Sequence, residues 1–252
     1  TPVPTVLHEE NGFALSADDV LAAITPATRL LILNSPGNPT GGVTPIGEID
    51  RLVAGLRDRP DVAILSDEIY ARMLYDGQKH VSLLSYPELR GRLILLDGWS
   101  KTYAMTGWRL GYSVWPAALV ETVVRLCVNT HSCVNAATQF AGIAALEGPQ
   151  DAVDGMMRDF KIRRGKIVPL LRSLPGFACR QPGGAFYAFP NVSGTGVDAR
   201  TLQSRLLEEA GVATIAGPSF GRHADTFIRF SYANSVDNIE QAIQRIGDVL
   251  VG

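Results

Sequence analysis

The chain has 252 residues, of which 46% are hydrophobic and 19% are charged, and its formal net charge at pH 7 is -2. This composition is typical of a globular protein with a sizeable core, and it lacks the basic excess that nucleic acid or an anionic membrane would require. Three cysteines without CxxC spacing argue against a disulfide framework or a zinc site and favour a reducing, cytoplasmic compartment. No apolar run is long enough to span a membrane, and no signal peptide opens the chain. We therefore expect neither nucleic acid nor a membrane as a partner, and no metal.

Predicted helices and strands alternate over the first 150 residues. A helix is predicted from a cap at Ser16 to about Ile24, and a second from a cap at Thr44 to about Arg57. Buried strands are predicted over 29–34, 62–65 and 93–96, a fourth strand over 110–115, and a short strand over 3–8. Alternation with short connections predicts an α/β fold with a mostly parallel sheet.

From Ala117 onward, helices are followed by short strands. Helices are predicted over 117–127, 136–147 and 151–173, and then over 199–210 and in a last segment capped by Ser235. Strands are predicted over 177–180, 184–189, 212–216 and 227–231. This pattern indicates a small α+β domain, so we predict domains at 1–150 and 151–252.

Four polar residues come just after the carboxyl ends of three predicted strands. They are Asn38, Asp67, Tyr70 and Lys101. Each residue also has an ordinary structural explanation: Asn38 as a loop breaker, Asp67 as a turn cap, Tyr70 as a core residue and Lys101 as a solvated charge. Because the ends of parallel strands share one edge of a sheet, their coincidence there favours a common cleft.

These residue types suit a carbonyl cofactor with a pyridine ring and a phosphate tail. Lys101 is an amine that could form a Schiff base, and Asp67 is a carboxylate for the ring nitrogen. The other groups come in pairs: Asn38 with Tyr70 for the ring oxygen, and Ser100 with Arg109 for the phosphate.

Four segments carry a resemblance to a known family: Asn34–Gly41 (NSPGNPTG), Ser66–Tyr70 (SDEIY), Ser100–Tyr112 (SKTYAMTGWRLGY) and Phe227–Ser231 (FIRFS). In this order they resemble the successive motifs of class I/II aminotransferases of the fold-type I pyridoxal-phosphate superfamily, which are aspartate aminotransferase-like. The resemblance covers essentially the whole chain. It implies a fold-type I PLP-transferase with a mostly parallel large-domain sheet and a small C-terminal α+β domain.

The resemblance also implies a role for each matched residue. Lys101 would hold pyridoxal 5'-phosphate as an aldimine and act as general base, and Asp67 would pair with the pyridinium nitrogen. The remaining roles are hydrogen bonds to the ring oxygen from Asn38 and Tyr70, phosphate binding by Ser100 and Arg109, and binding of the substrate α-carboxylate by Arg229 with Asn38. The sequence leaves open whether the bond between Asn38 and Pro39 is cis.

The sequence departs from the family in two places. Some members carry a hydroxyl residue three positions before the lysine, where this chain has Gly98, and this leaves Ser100 as the nearer phosphate ligand. The family's large domain begins before the residue that corresponds to Thr1. We therefore expect a chain that lacks the N-terminal part, binds the cofactor poorly alone and forms a homodimer when full length.

The expected activity is transfer of an amino group from an α-amino acid to a 2-oxo acid through ping-pong half reactions. Two alternatives stay open within this resemblance: a PLP-dependent carbon-sulfur lyase, and an aminotransferase-like sensor domain of a transcription regulator. A catalytically inactive scaffold is a third. The sequence leaves acidic, aromatic, aliphatic and basic amino acids open as substrates.

Overall fold

The computed structural model describes residues 1–251, which divide into two compact units. The lysine unit, which contains Lys101, consists of Leu15–Pro36 and Thr44–Gly155. The arginine unit, which contains Arg229, consists of Thr1–Ala14, Gly37–Val43 and the chain from Met156 onward. Two segments from the first 43 residues therefore cluster with the C-terminal part of the chain. The domain limits 1–150 and 151–252 stay a prediction.

The lysine unit contains a four-stranded sheet in the order β1-β2-β3-β4. Its strands are β1 (Leu30–Asn34), β2 (Ala63–Asp67), β3 (Leu93–Gly98) and β4 (Gly111–Val114). β1, β2 and β3 are parallel, whereas β4 is antiparallel to β3. The predicted mostly parallel α/β sheet is confirmed. Asn34 lies opposite Asp67, and Asp67 lies opposite Leu96, so the carboxyl ends of the three parallel strands are level.

The lysine unit contains five helices before residue 150: α1 (Ala17–Ala23), α2 (Ile46–Leu56), α3 (Trp99–Thr102), α4 (Ala117–His131) and α5 (Ala136–Glu147). The predicted cap of α1 is confirmed, because Ser16 Oγ accepts a hydrogen bond from Asp19 N at 3.2 Å. The predicted cap of α2 at Thr44 is wrong. Pro45 occupies that position, one residue later, and offers no capping side chain.

The core of the lysine unit lies between the helices α1 and α2 and the sheet. Helical spacing places the apolar residues of α2 on one face, which is buried. The buried residues of this cluster are Ala17, Val20, Leu33, Ile49, Leu52, Val53, Leu56, Ile64, Leu83, Leu89 and Leu93. The packed core holds the strand ends in a fixed register.

The arginine unit contains a three-stranded antiparallel sheet in the order β5-β7-β6. The strands are β5 (Tyr187–Ala188), β6 (Ile215–Ala216) and β7 (Ile228–Ser231), and the helices are α6 (Asp151–Ser173, which begins in the lysine unit), α7 (Ala199–Glu208) and α8 (Val236–Val251). The predicted bounds of α6 are confirmed. So is the cap at Ser235, whose Oγ accepts a hydrogen bond from Asn238 N at 3.2 Å.

Several strands of this unit are shorter than predicted. The predicted strand 177–180 is reduced to a bridge between Ala178 and Asn191. The predicted strand over 3–8 is wrong, since these residues have no regular structure. Pro4 lacks the amide donor that a strand interior needs.

Short 3₁₀ turns connect the elements, at Glu9–Asn11, Leu83–Ser85, Pro87–Leu89, Thr106–Trp108, Ser193–Thr195 and Gly217–Ser219. Across residues 1–251, none of the helices is both long and apolar enough to cross a membrane.

Candidate active site

Lys101 lies in α3, the single helical turn that follows β3 directly. The prediction that it follows a buried strand is confirmed, although it lies in a helical turn where a loop was expected. Trp99 N donates to Leu110 O at 3.3 Å, and Thr106 Oγ1 donates to Ser100 O at 2.8 Å. These two bonds tie the turn to the chain that follows it, so the half-buried Lys101 is carried by an anchored segment.

Asp67 is the last residue of β2, next to β3 in the sheet. Its Oδ1 accepts a hydrogen bond from Ile69 N at 3.2 Å. Burial raises the pKa of the Asp67 carboxyl, and the charge of Glu68 adds to this, while the Ile69 bond opposes it. A cation placed beside this carboxylate would therefore be stabilised by it. Tyr70, in the turn after β2, is buried, with 3% of its surface exposed.

Arg109 is held in an unusual backbone conformation near Lys101. Its φ of 56° and the φ of 53° at Ala104 are both left-handed. Each costs a non-glycine residue about 1 kcal/mol, and such strain clusters at functional sites. Arg109 Nη1 donates to Thr106 O at 2.9 Å, which ties the exposed guanidinium to its own loop. Ser100 of α3 and Arg109 thus place a hydroxyl and a cation on the same 10-residue segment.

Gly98 has a steric explanation. It pairs with Gly111 across β3 and β4, and a Cβ at residue 98 would lie 2.9 Å from both Gly111 Cα and Leu110 O. Since these are backbone atoms, they cannot move aside as the end of a side chain would. The strand pairing therefore requires glycine here, and a hydroxyl side chain cannot be added without moving β4.

Two residues of this region were missed by the sequence reasoning. Asp97 Oδ1 accepts a hydrogen bond from Gly98 N at 2.6 Å, and its Oδ2 accepts one from the Tyr112 hydroxyl at 3.0 Å. Burial raises the pKa of Asp97, and it raises that of Tyr112 to about 12 with help from the Asp97 charge. Asp97 precedes the quoted motif, so only its position at the strand end could have indicated a role.

The sequence reasoning also missed a hydrogen-bonded pair formed by Glu68, the residue that follows Asp67, and His80. Glu68 is 4% exposed, and its Oε2 lies 2.8 Å from His80 Nε2. Its Oε1 accepts hydrogen bonds from Ser66 Oγ at 2.9 Å and Leu83 N at 3.1 Å. Burial alone would raise the pKa of Glu68, but the interaction with His80 and the hydrogen bonds from Ser82 and Leu83 N outweigh it and keep the pKa below its ordinary value. The network anchors the chain immediately after Asp67.

In the arginine unit, Arg229 of β7 contacts Asn38. Arg229 Nη1 donates to Asn38 Oδ1 at 2.9 Å, and the Asn38–Pro39 bond, which the sequence left open, is cis. The guanidinium carbon lies 4.7 Å from the Tyr187 ring centroid and 5.0 Å from that of Phe220. Such rings attract a guanidinium and fix its plane. Arg229 Nε is buried and has no hydrogen-bond partner among residues 1–251.

The predicted site residues thus fall into two groups. The lysine unit holds Asp67, Tyr70, Ser100, Lys101 and Arg109, and the arginine unit holds Asn38 and Arg229. Within the first group, β2 and β3 bring the acid and the amine to the same edge of the sheet. The single cleft predicted for Asn38 and Lys101 stays a prediction.

An α/β sheet with an acid and an amine at the ends of neighbouring parallel strands has the arrangement of enzymes that bind ligands at a strand edge. Comparison with known proteins narrows this class. Residues 1–246 match the family described as aminotransferase class I and II. The chain therefore belongs to the class I and II aminotransferases, of the fold-type I superfamily.

Individual relatives agree. The chain is 37% identical to the aspartate aminotransferase of Pyrococcus horikoshii, in an alignment that covers 100% of this chain and 64% of that protein. It is 37% identical to aromatic-amino-acid aminotransferase 2 of Thermococcus litoralis, over 99% of this chain and 64% of that protein. The crystal structure of the aromatic aminotransferase of Pyrococcus horikoshii OT3 superposes with a TM-score of 0.95 at 34% identity, over 99% of this chain and 67% of that one. The chain spans 64% of the length of these two curated relatives.

Proposed function

We propose that this chain belongs to a pyridoxal-phosphate-dependent aminotransferase, which moves an amino group from an α-amino acid to a 2-oxo acid in two half reactions. One observation carries the proposal: Lys101 follows β3, and Asp67 ends the parallel neighbour β2. An amine nucleophile and a half-buried carboxylate on adjacent strand ends are the two groups that this chemistry needs most.

The donor set of the lysine unit fits the cofactor. Lys101 Nζ would hold the aldehyde carbon, and the Asp67 carboxylate would face the ring nitrogen. The raised pKa of Asp67 supports this placement, because a carboxylate that burial destabilises gains from a cationic partner. Tyr70 would donate its hydroxyl proton to the ring oxygen, while Ser100 and Arg109 would bind the phosphate. When bound, pyridoxal phosphate supplies a carbonyl and a ring that accepts electrons from the substrate Cα.

The proton transfer is assigned to Lys101. When the substrate amine replaces it on the cofactor, the Lys101 amine would act as a base that accepts the proton from the substrate Cα and delivers it to the former aldehyde carbon. Asp67, as a carboxylate, would hold the proton on the ring nitrogen. The hydrogen bond from Ile69 N orients its carboxylate for this purpose.

Substrate binding is assigned to the arginine unit. A guanidinium can bind a carboxylate through two parallel hydrogen bonds, and the rings of Tyr187 and Phe220 hold that of Arg229 in one plane. The Asn38 amide, which accepts from Arg229, would help to hold the same α-carboxylate and the ring oxygen of the cofactor. We infer that the full-length protein is a homodimer, from its similarity to the family.

The test is an absorbance titration of the full-length protein with pyridoxal phosphate, followed by a panel of amino acids. We expect a band of lysine-bound cofactor that an amino acid removes and a 2-oxo acid restores. Lys101→Ala should abolish the band and slow the half reaction about 10³-fold or more. Lys79→Ala, at an exposed lysine of the same unit, should leave both unchanged.

Absence of the band in the wild-type protein would overturn the proposal. Release of pyruvate from cysteine without a 2-oxo acid would show instead that the protein is a carbon-sulfur lyase.

A further inference from the structure

Arg164 of α6 is a buried arginine that has no part in the function assigned above. Only 4% of its surface is exposed, and its Nη1 donates a hydrogen bond to Pro182 O at 2.9 Å. A buried guanidinium is costly when its hydrogen bonds are lost, so this contact holds Pro182 firmly in place. Pro182 begins a stretch that leads into β5, which we call the clamp segment (residues 182–187).

The clamp segment holds the loop that carries Asn38. Gly183 N and Gly184 N both donate to Gly41 O, at 2.9 and 3.0 Å. Gly41 has a left-handed φ of 67°, and a Cβ there would lie 2.4 Å from Pro182 Cβ. The loop and the segment are therefore in close backbone contact. Because Asn38 belongs to the same short loop as Gly41, its position depends on that of the clamp segment.

The other end of the clamp segment contacts Arg229 directly. Tyr187 is its last residue, and the centroid of the Tyr187 ring lies 4.7 Å from the guanidinium carbon of Arg229. Asn38 Oδ1 accepts a hydrogen bond from Arg229 Nη1 at 2.9 Å. Two contacts of Arg229 thus depend on the clamp segment, one through the loop that it holds and one through its own last residue.

Other side chains hold the clamp segment from two sides. Phe160 lies one helical turn before Arg164, so the two share a face of α6. The Phe160 ring stacks on that of Phe186, with centroids 5.4 Å apart. Tyr232 follows β7, and its hydroxyl donates to Ala185 O at 3.2 Å while its N–H donates to Phe186 O at 3.0 Å. The segment therefore lies between α6 and the chain after β7.

We propose that Arg164 is a positioning residue for the substrate carboxylate site. It acts through the clamp segment on Asn38 and Tyr187, and these two residues set the plane and direction of the Arg229 guanidinium. The proposal rests on the function assigned above, since it takes Arg229 as the carboxylate anchor. Two parallel hydrogen bonds to a carboxylate require one orientation of the guanidinium, so a small displacement of its contacts weakens binding.

The first measurement follows hydrogen exchange of the full-length protein by mass spectrometry, and it needs no enzyme activity. We expect Arg164→Met to speed exchange about tenfold in peptides that cover residues 37–42 and 182–187, because the anchor of the clamp segment is lost. Peptides of the lysine unit should exchange as in the wild type. Arg158→Met, the same change at an exposed arginine of α6, is the matched control and should alter neither peptide.

The second measurement is an absorbance titration of the full-length protein, loaded with pyridoxal phosphate, with glycine and with glycinamide. Glycinamide has an uncharged amide in place of the carboxylate, and neither probe carries a side chain. We expect Arg164→Met to weaken glycine binding about tenfold and glycinamide binding less than about twofold. A merely structural role of Arg164 would weaken the two probes equally.

Two further variants keep the proposal testable if Arg164→Met does not fold. Arg164→Lys keeps a cationic donor, and its affinity for glycine should lie between those of the wild type and Arg164→Met. Tyr232→Phe removes the hydrogen bond to Ala185 O but keeps the ring, and it should weaken glycine binding about threefold.

The outcomes separate this proposal from the assigned function. Unchanged exchange in both peptides, or an equal loss of glycine and glycinamide binding, would overturn the positioning role even if the wild type transaminates normally. A wild-type protein that binds glycine no better than glycinamide would overturn the assignment of Arg229. Faster exchange in both peptides of Arg164→Met would still support Arg164 as the anchor of the clamp segment.

Discussion

The two units hold their partly buried charges in different ways. Three carboxylates of the lysine unit each accept a hydrogen bond from a main-chain N–H group: Asp67 from Ile69 at 3.2 Å, Glu68 from Leu83 at 3.1 Å and Asp97 from Gly98 at 2.6 Å. In the arginine unit, two aromatic faces and the Asn38 amide oxygen hold the Arg229 cation. The buried Arg164 cation of the same unit donates to Pro182 O at 2.9 Å.

This difference shows which interactions orient the carboxylates and which orient the cation. A chain that turns at the end of a strand directs N–H donors at nearby oxygens, so backbone geometry orients the carboxylates. A cation needs electron-rich surface instead, and aromatic faces supply it through side-chain packing. The lysine unit should therefore be sensitive to changes in backbone and hydrogen bonding, and the Arg229 stack should be sensitive to loss of a ring.

The largest expected effect is that of Glu68→Ala. This change leaves Ser66 Oγ, Leu83 N and His80 without their buried acceptor, and we expect it to lower the free energy of unfolding by about 3–5 kcal/mol. Urea denaturation at pH 7 measures this, with Glu121→Ala on the exposed face of α4 as control.

The pH dependence gives a second readout for this variant. The folded-state pKa of Glu68 lies below its ordinary value of 4.5, so its contribution to stability is present above that pH and lost as the pH falls through the folded-state pKa. The difference between wild type and Glu68→Ala should therefore narrow in acid. A loss below about 1 kcal/mol at pH 7 would show that hydrogen bonding does not dominate here.

Gly98→Ser should have the next largest effect. The added Cβ would lie 2.9 Å from backbone atoms of residues 110 and 111, and we expect a loss of about 1–3 kcal/mol from overpacking. Gly107→Ser is the matched control, since a Cβ there meets no atom within 4 Å. Thermal unfolding of the two variants decides the point. Equal melting temperatures would mean that β4 shifts at little cost.

Asp67→Asn should stabilise the cofactor-free protein at neutral pH by about 1 kcal/mol. Burial raises the folded-state pKa of Asp67 above the ordinary 3.8, so stability is full below that value and is lost as the pH rises through the folded-state pKa. The asparagine variant does not ionise and therefore does not lose this stability. Its excess free energy of unfolding over wild type should shrink as the pH falls toward 4. Denaturation curves at several pH values test this against Asp61→Asn, and an advantage that grows in acid would contradict it.

Phe220→Leu should have the smallest effect on stability, below about 1 kcal/mol, because an apolar side chain is kept and Phe220 is 37% exposed. Loss of one face of the Arg229 stack should raise KM for the amino donor about twofold to fivefold with kcat unchanged. Steady-state kinetics of Phe220→Leu and Phe220→Tyr, which keeps the ring, test this. If the two variants behave alike, the ring does not hold the guanidinium.

The sequence determined the elements that depend on local pattern. The local pattern predicted a helix over 151–173, and the apolar runs predicted the strands β1, β2 and β3. The burial predicted for β1 is wrong in part, because Leu30 is 45% and Ile32 is 65% exposed. It also placed Asp67 and Lys101 at strand ends, because each follows its strand within a few residues. The contiguous motifs around them were sufficient to indicate the family.

Tertiary structure decided the rest, because the contacts involved join distant parts of the chain. Arg229 and Asn38 are 191 residues apart, and the two rings that hold Arg229 come from separate segments. The need for glycine at residue 98 arises only when β3 pairs with β4 and brings Gly111 opposite it. Local periodicity carries no information on such pairings, which are fixed by the register of the strands and by the packing of side chains from separate segments.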